Sequence, residues 1–281
     1  DCLANESYKD LSLLSGDIDN IISYDNLYKS ISDKSYNFSI SFFSTFNIAY
    51  KLWRSNIKRR YAPATKLAQL FSNRTIKQSR SKSLKPEYEY NNDLACYFLK
   101  DNDYDIKRID SPFIRFNPEN KIKDRLKKNI FIHPFTGGSS KTLSGDDFIK
   151  LCLELHKLCS CRFILHCDKY DYEKCLNIKN KVSNLDMDII KPTDQLMQMF
   201  SNINECDLFI SGSTGPLHVA GSLNKKTVGF YPSKKSSTSL RWRTINEESN
   251  KLSFEDSETD DKYIKVDIKS AANEIYNKLL K

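Results

Sequence analysis

The sequence predicts an α/β fold of two domains, each a parallel sheet wound with helices. Three observations predict it. The chain's 281 residues exceed one average domain and suit two of about 100 to 150 residues. Short β-rich apolar runs alternate with amphipathic stretches along the chain, the rhythm of βα units. Within Leu208–Pro232, a buried strand breaks into small polar residues and then at once into a helix, as at the carboxyl edge of a parallel sheet.

In the first half, strands are expected at Ile21–Tyr24 and Tyr36–Phe43, and helices at Phe46–Ser55 and Asn91–Leu99. No initiator methionine and no buried strand are legible before Leu3, so an amino-terminal strand is expected to be missing. A boundary is expected in the charged stretch Pro118–Lys128, giving domains 1–120 and 121–281. Beyond it the rhythm sharpens. Strands are expected at Asn129–His133, Arg162–Cys167, Asp188–Ile190, Leu208–Ser211 and Thr227–Tyr231. Helices are expected at Asp146–Leu158, Tyr170–Val182, Thr193–Asn202 and Pro216–Leu223. Phe148, Leu151, Cys152, Leu155 and Leu158 recur at three- and four-residue spacing, one apolar stripe laid on a sheet. A last helix, Ile268–Leu280, is expected to pack back across the domains.

A hydrophobic share of 39% with 28% charged residues excludes a largely disordered chain. Apolar runs such as Phe163–Leu165 fall far short of the roughly 18 residues that cross a bilayer, so a cytoplasmic location is expected, at most peripheral to a membrane. The eight cysteines fall mainly in apolar periodic segments and read as small buried hydrophobes. Cys152, Cys159, Cys161, Cys167 and Cys175 lack the paired CxxC spacing of a structural zinc site. Asp101, Asp103 and Asp105, and likewise Asp186 and Asp188, read as solvated turns or strand edges; no metal is expected. The net charge of +8, with basic runs at Lys58–Arg60 and from Arg74 through Lys85, attracts anionic partners. Charge alone does not choose among phospholipid, nucleic acid and phosphorylated sugar, and a solvated face is its simplest reading.

Two stretches carry chemistry. In LFISGSTGPLHVAGSLNKKTVGFYP, Pro216 suits a first helical turn and Ser213 or Thr214 can cap it. The N–H groups and dipole of that helix start make an anion site that fits a diphosphate. His218 lies in the same first turn, where a ring nitrogen can donate to a phosphate or a ribose hydroxyl. The second stretch, HPFTGGSSKT from His133 to Thr142, is a strand entering a Gly/Ser loop that ends in a lysine. Ser140 rather than glycine precedes Lys141, so a nucleoside-triphosphatase loop is excluded. What remains is a loop of backbone donors with Lys141 as a mobile positive charge, suited to a leaving diphosphate. No GxGxxG occurs, which removes the main support for a dinucleotide dehydrogenase.

Taken together, HPFTGGSSK, ISGSTGPLHVAGSLNKKTVGFYP and Arg241-Trp242 after a Ser-rich loop resemble the carboxyl-terminal domain of the ADP-heptose:lipopolysaccharide heptosyltransferases, glycosyltransferase family 9. The first half resembles the same family from IDNIISYD through YNFSISFFSTFNIAYKLWRSNIKRRYA. The resemblance implies the GT-B architecture of two Rossmann-like domains with the donor held mainly by the second. It implies that Thr136 and Lys141 contact the donor diphosphate, and that Ser213, Thr214, Gly215, Pro216 and His218 line the same site. It implies metal-independent, inverting transfer of a heptose or similar sugar from an ADP-sugar to a lipid A/Kdo-type acceptor of the lipopolysaccharide inner core, without a cofactor. The basic first half would then meet an anionic lipid-linked acceptor at the cytoplasmic face of the inner membrane. Two departures stand out. Many members carry aspartate or asparagine–aspartate where this chain has Gly212-Ser213, so sugar or base contacts are expected to differ. The family's glycine–aspartate loop, the expected source of the general base, has no match here and would precede Asp1. Another GT-B enzyme, a UDP-sugar transferase or an epimerase, is the alternative. A basic nucleic-acid-binding protein is the non-enzyme reading, against which stands the lack of aromatic–glycine RNA motifs and recognition helices.

Overall fold

The computed structural model describes residues 1–281 apart from 6–7, 9, 11–13, 15–16, 25–26, 33, 66, 107–112, 115–125, 139, 193–194 and 258–261. The chain forms two compact units, Asp1–Ser111 and Pro112–Lys281. Residues 118–125 of the expected boundary stretch, and Thr193 at an expected helix start, lie outside the described residues.

In the first unit, β1 (Cys2–Ala4) pairs in parallel with β2 (Ile21–Ser23), and β3 (Phe38–Ile40), β4 (Arg59–Pro63) and β5 (Arg74–Ile76) form a second parallel sheet. Helices α1 (Leu27–Ser32), α2 (Phe46–Arg54) and α3 (Glu87–Asp101) accompany them. The described chain thus begins a strand at Cys2, where no strand was legible. Its three residues are exposed or half-buried, too few and too wet to leave a pattern. The strands β4 and β5 lie inside the basic runs, and their arginines serve the fold as well as the surface. Arg60 Nε donates to the Phe71 carbonyl at 2.6 Å, and Arg74 Nε pairs with Asp101 at 3.0 Å. The Tyr61 hydroxyl also donates to Asp101, and with Arg74 it holds that carboxyl below the usual range. Asp101 is therefore a strut at the end of α3. That helix starts at Glu87, four residues before Asn91: Pro86 presets the entry, and Glu87 and Glu89 favour the positive end of the dipole. Tyr90, Leu94 and Phe98, spaced by four, are its buried stripe.

In the second unit, six parallel strands form one sheet: β6 (Lys128–His133), β7 (Cys161–Leu165), β8 (Met187–Ile189), β9 (Leu208–Gly212), β10 (Lys226–Tyr231) and β11 (Lys251–Glu255). Their order is β11-β10-β9-β6-β7-β8. The intervening helices are α4 (Gly145–Leu158), α5 (Tyr172–Asn180), α6 (Leu196–Asn204), α7 (Gly215–Ser222), α8 (Ser239–Trp242) and α9 (Ile268–Ile275). Successive strand residues serve opposite faces. Ile130, Ile132, Leu208 and Ile210 pack with Phe148, Leu151 and Leu155 of α4 and with Ala272 and Ile275 of α9. Phe131 and Phe209 pack with Ile203 of α6 and with Leu217 and Ala220 of α7. A sheet covered on both faces needs such continuous apolar strands, which is why β6 and β9 were readable in sequence. Strand β11 was not: LSF alternates, its residues are half-buried or exposed, and it closes the sheet as an edge. The last helix also differs from expectation. Ala272, Ile275, Leu279 and Leu280 complete the core of the second unit itself, with α9 against α4.

Candidate functional site

The strand order of the second sheet switches direction between β6 and β9, with β7 and β8 on one side and β10 and β11 on the other. Loops leaving two such strands diverge and open a crevice outside their carboxyl ends. His133 ends β6 and is in register with Ser211 of β9, so the two loops singled out in sequence rise from neighbouring strands. Ser211 Oγ donates to the His133 carbonyl at 2.9 Å and lies 3.0 Å from Thr214 Oγ1, which ties the roots of both loops together.

In the first loop, Gly137 and Gly138 take φ of +57° and +83°, a region costly for any residue with a Cβ. Thr136 Oγ1 donates to the Ser140 carbonyl at 2.6 Å and closes the turn. Lys141 follows, and its charge has a partner that the sequence did not suggest. Its Nζ stands 3.6 Å from the carboxylate of Asp256, whose side chain is 1% exposed, and the Thr142 carbonyl accepts the Ile264 N–H at 2.9 Å. Asp256, just past β11, also accepts the Lys265 N–H at 2.8 Å.

In the second loop, Thr214 is the residue that precedes α7, with the extended backbone of a cap. Its hydroxyl does not cap the helix, contrary to the sequence reading, because it turns toward Ser211. The Thr214 hydroxyl therefore does not compete with an anion for the N–H groups of Gly215 and Leu217 at the start of α7, while its carbonyl accepts the His218 N–H at 3.3 Å. His218, half-buried, meets the Trp242 indole edge-on at 6.4 Å between ring centroids. Burial lowers its pKa, so the ring is neutral near pH 7 and offers one donor and one acceptor. Trp242 is itself fixed: its indole N–H donates to the Ser236 carbonyl at 2.9 Å and its carbonyl accepts the Tyr231 hydroxyl at 3.3 Å. The Arg241 guanidinium lies over the same indole at 5.4 Å.

A cleft of about 390 Å³ is lined by Ser140, Lys141, Pro232, Ser233, Lys234 and Ser237. Two lysines at its walls suit an anionic occupant. The structure thus joins Lys141 to the loop after β10, while Ser213, Thr214, Gly215, Pro216 and His218 stand at the carboxyl end of β9 and do not line that cleft. Sequence reasoning missed Ser233, Lys234 and Asp256. Lys234-Lys235 within a serine-rich loop directly after a strand was the available signal for the second; Asp256 had none, because its strand was unread. Among the described residues no group of three His, Cys, Asp or Glu is placed to hold a metal ion. Asp186 and Asp188 are instead taken up in surface ion pairs with Lys127, Arg162 and Lys179.

Gly212 is where the two loops touch. A Cβ there would lie 2.9 Å from Thr142 Cβ and Oγ1 and 3.2 Å from Thr136 Cγ2, closer than packed atoms allow. Gly212→Ala is therefore expected to cost about 1–3 kcal/mol and to displace the loop that carries Lys141. A lowered thermal midpoint would bear this out; a wild-type midpoint would refute it.

Comparison with known proteins agrees with this architecture. The family described as glycosyltransferase family 9 (heptosyltransferase) matches residues 25–269. A Haemophilus influenzae protein named as a glycosyltransferase is 34% identical over 242 residues, covering 82% of this chain and 70% of that protein. A glycosyl transferase family 9 structure from Veillonella parvula superposes with TM-score 0.75 at 12% identity, over 99% of this chain and 87% of that one. The E. coli heptosyltransferase WaaC solved with ADP gives 0.73 at 11% identity, over 98% and 89%. E. coli ADP-heptose lps heptosyltransferase II gives 0.70 at 16%, over 99% and 88%. At such identities the superpositions speak for the fold, and the family match over most of the sequence speaks for the class of reaction. The chain belongs to glycosyltransferase family 9, the heptosyltransferase family, and is a glycosyltransferase of α/β fold with parallel sheets.

Proposed function

We propose that the chain transfers a heptose or a similar sugar from an ADP-sugar to the lipid A/Kdo-type inner core of lipopolysaccharide, at the cytoplasmic face of the inner membrane. The observation that carries the donor half of this reading is the pairing of two loops at one switch point. Thr136–Lys141 and Ser213–His218 leave adjacent strands whose ends are joined through Ser211. Backbone donors at α7 and the ammonium of Lys141 are placed to stabilise the charge that develops on a departing diphosphate. Neutral His218 supplies a hydrogen bond to a phosphate or ribose oxygen. Inversion at the anomeric carbon asks for a carboxylate that takes the acceptor's proton. The ADP-bound and ADP-heptose solved structures support the nucleotide, and the family resemblance is what supports the acceptor.

Titration calorimetry with ADP and UDP, with and without EDTA, tests the donor site. ADP is expected to bind and UDP to bind more weakly, and EDTA to change neither, since helix and lysine supply the counter-charge. A loss of ADP binding in EDTA that magnesium restores would overturn the metal-free reading. Mass-spectrometric detection of heptose on a Kdo–lipid A acceptor tests the reaction, and preference for a UDP-sugar would favour the alternative transferase.

A further inference from the structure

We propose that α2 and the short 3-10 helix Leu67–Phe71 form a docking face for an anionic lipid surface. Phe46, Tyr50 and Trp53 recur at i, i+4 and i+7 of α2 and so share one side of it. That side is not the one used for the core: Ala49 is buried, and Leu52 packs toward Ile22, Leu27, Ile31 and Ile57. The three rings gather around Phe71 instead, at centroid distances of 5.1, 5.6 and 5.8 Å. They remain open to solvent, with Phe46 56% and Trp53 48% exposed, and beside them Leu67 and Leu70 are 69% and 73% exposed. A soluble surface rarely holds so many large apolar side chains together without an occupant.

The charge around this face selects the occupant. From Lys34 to Pro86 the chain carries twelve lysines and arginines and no acidic residue, and although Lys34, Arg74, Arg80 and Lys85 pair with Asp1, Asp101, Glu87 and Asp93, the cations nearest this face are not among them. On the helix itself Lys51 lies over the Tyr24 ring at 5.4 Å and Arg54 is exposed, with Lys58 and Arg59 exposed just beyond. Amphipathic rings flanked by cations match the headgroup level of an anionic bilayer, where Trp and Tyr settle and basic residues meet lipid phosphate. The two exposed leucines argue against single-stranded nucleic acid, which would ask for ring faces to stack on; they suit the acyl boundary. Among the described residues no helix is long and apolar enough to cross a membrane, so the contact is one of lying on the surface. The docking face rests on the proposed membrane location only for its biological setting, and ADP binding measured on the same variants separates failure of the one from failure of the other.

The test is flotation with vesicles of phosphatidylglycerol and phosphatidylethanolamine against vesicles of phosphatidylcholine. The wild-type chain is expected to float with the anionic vesicles and to be released by salt. Two variants probe the two components, Leu67→Ser with Leu70→Ser for the apolar part and Arg54→Ala with Lys58→Ala for the rim. Each is expected to lose about tenfold in partitioning while thermal unfolding and ADP binding stay unchanged, since all four side chains are exposed. Quenching of tryptophan fluorescence by brominated lipid should fall in Trp53→Phe. Equal flotation with neutral vesicles, unchanged partitioning of both variants, or a self-association or RNA affinity abolished by the leucine pair while vesicle binding persists would overturn the proposal.

Discussion

Replacing Lys141 by alanine is expected to weaken binding of an ADP-sugar about ten- to a hundredfold, because a charge-assisted hydrogen bond to phosphate contributes ~1.5–3 kcal/mol. The structure adds a consequence for stability that the sequence could not supply. The Asp256 carboxylate is almost entirely buried beside the Lys141 ammonium, and removing one partner of a fully buried pair costs about 3–5 kcal/mol. The lysine end is 29% exposed, so solvent reaches the gap and a smaller loss, about 1–2 kcal/mol, is expected. Adding Asp256→Asn should return the thermal midpoint toward wild type while leaving affinity low. That separation distinguishes a donor-binding lysine from a merely structural one. Wild-type affinity in Lys141→Ala, measured by calorimetry, would remove the proposed site.

Acidification should destabilise the second unit well above the pH at which its carboxylates titrate. His133 and His166 are both buried at the ends of β6 and β7. His133 Nδ1 stands 2.8 Å from the His166 carbonyl, which can only accept, so that nitrogen carries the proton, and His166 Nδ1, 3.1 Å away, is the acceptor. Burial, and then the neighbouring imidazole, push His166 down from 6.5 to about 3; burial lowers His133 as well. A folded pKa below the unfolded one means that the unfolded chain takes up the proton first. The contribution is therefore fully present above about pH 6.5 and is lost as pH falls toward 3. From His166 alone the loss is about 2 kcal/mol at pH 5 and about 4 kcal/mol at pH 3, with His133 adding in the same direction. Because the His133 carbonyl anchors Ser211, both loops should loosen with it. Urea unfolding near neutrality and near pH 5 checks this: the midpoint should drop, and His166→Gln should flatten the slope. A pH-independent midpoint in the wild type would refute it.

Much of the second unit was legible in sequence. Strands β6, β9 and β10 read correctly to within a residue or two, since a parallel strand covered on both faces must be apolar throughout and leaves a dense local signal. The helix after Ser144 was equally plain, its stripe matching the buried Phe148, Leu151, Cys152 and Leu155. Glycines and prolines marked the two loops because their backbone needs are local. By contrast β4, central in its sheet and buried from Tyr61 to Pro63, was masked by the basic residues at its start, and β5 and β11 were hidden because edge strands draw their stability from neighbours that local sequence does not name. Sequence by itself therefore determined the fold class, the family and the two stretches from which the proposed donor site is built. Tertiary structure decided that Lys141 is paired with Asp256, that Thr214 faces Ser211 instead of capping its helix, and that Lys234 shares a cleft with Lys141. The Thr214 contact is set by the fold of one turn, whereas Lys141 meets Asp256 and Lys234 across 115 and 93 positions through the order of β6, β9, β10 and β11, and only the pairing of strands sets which distant side chains meet at a sheet's edge.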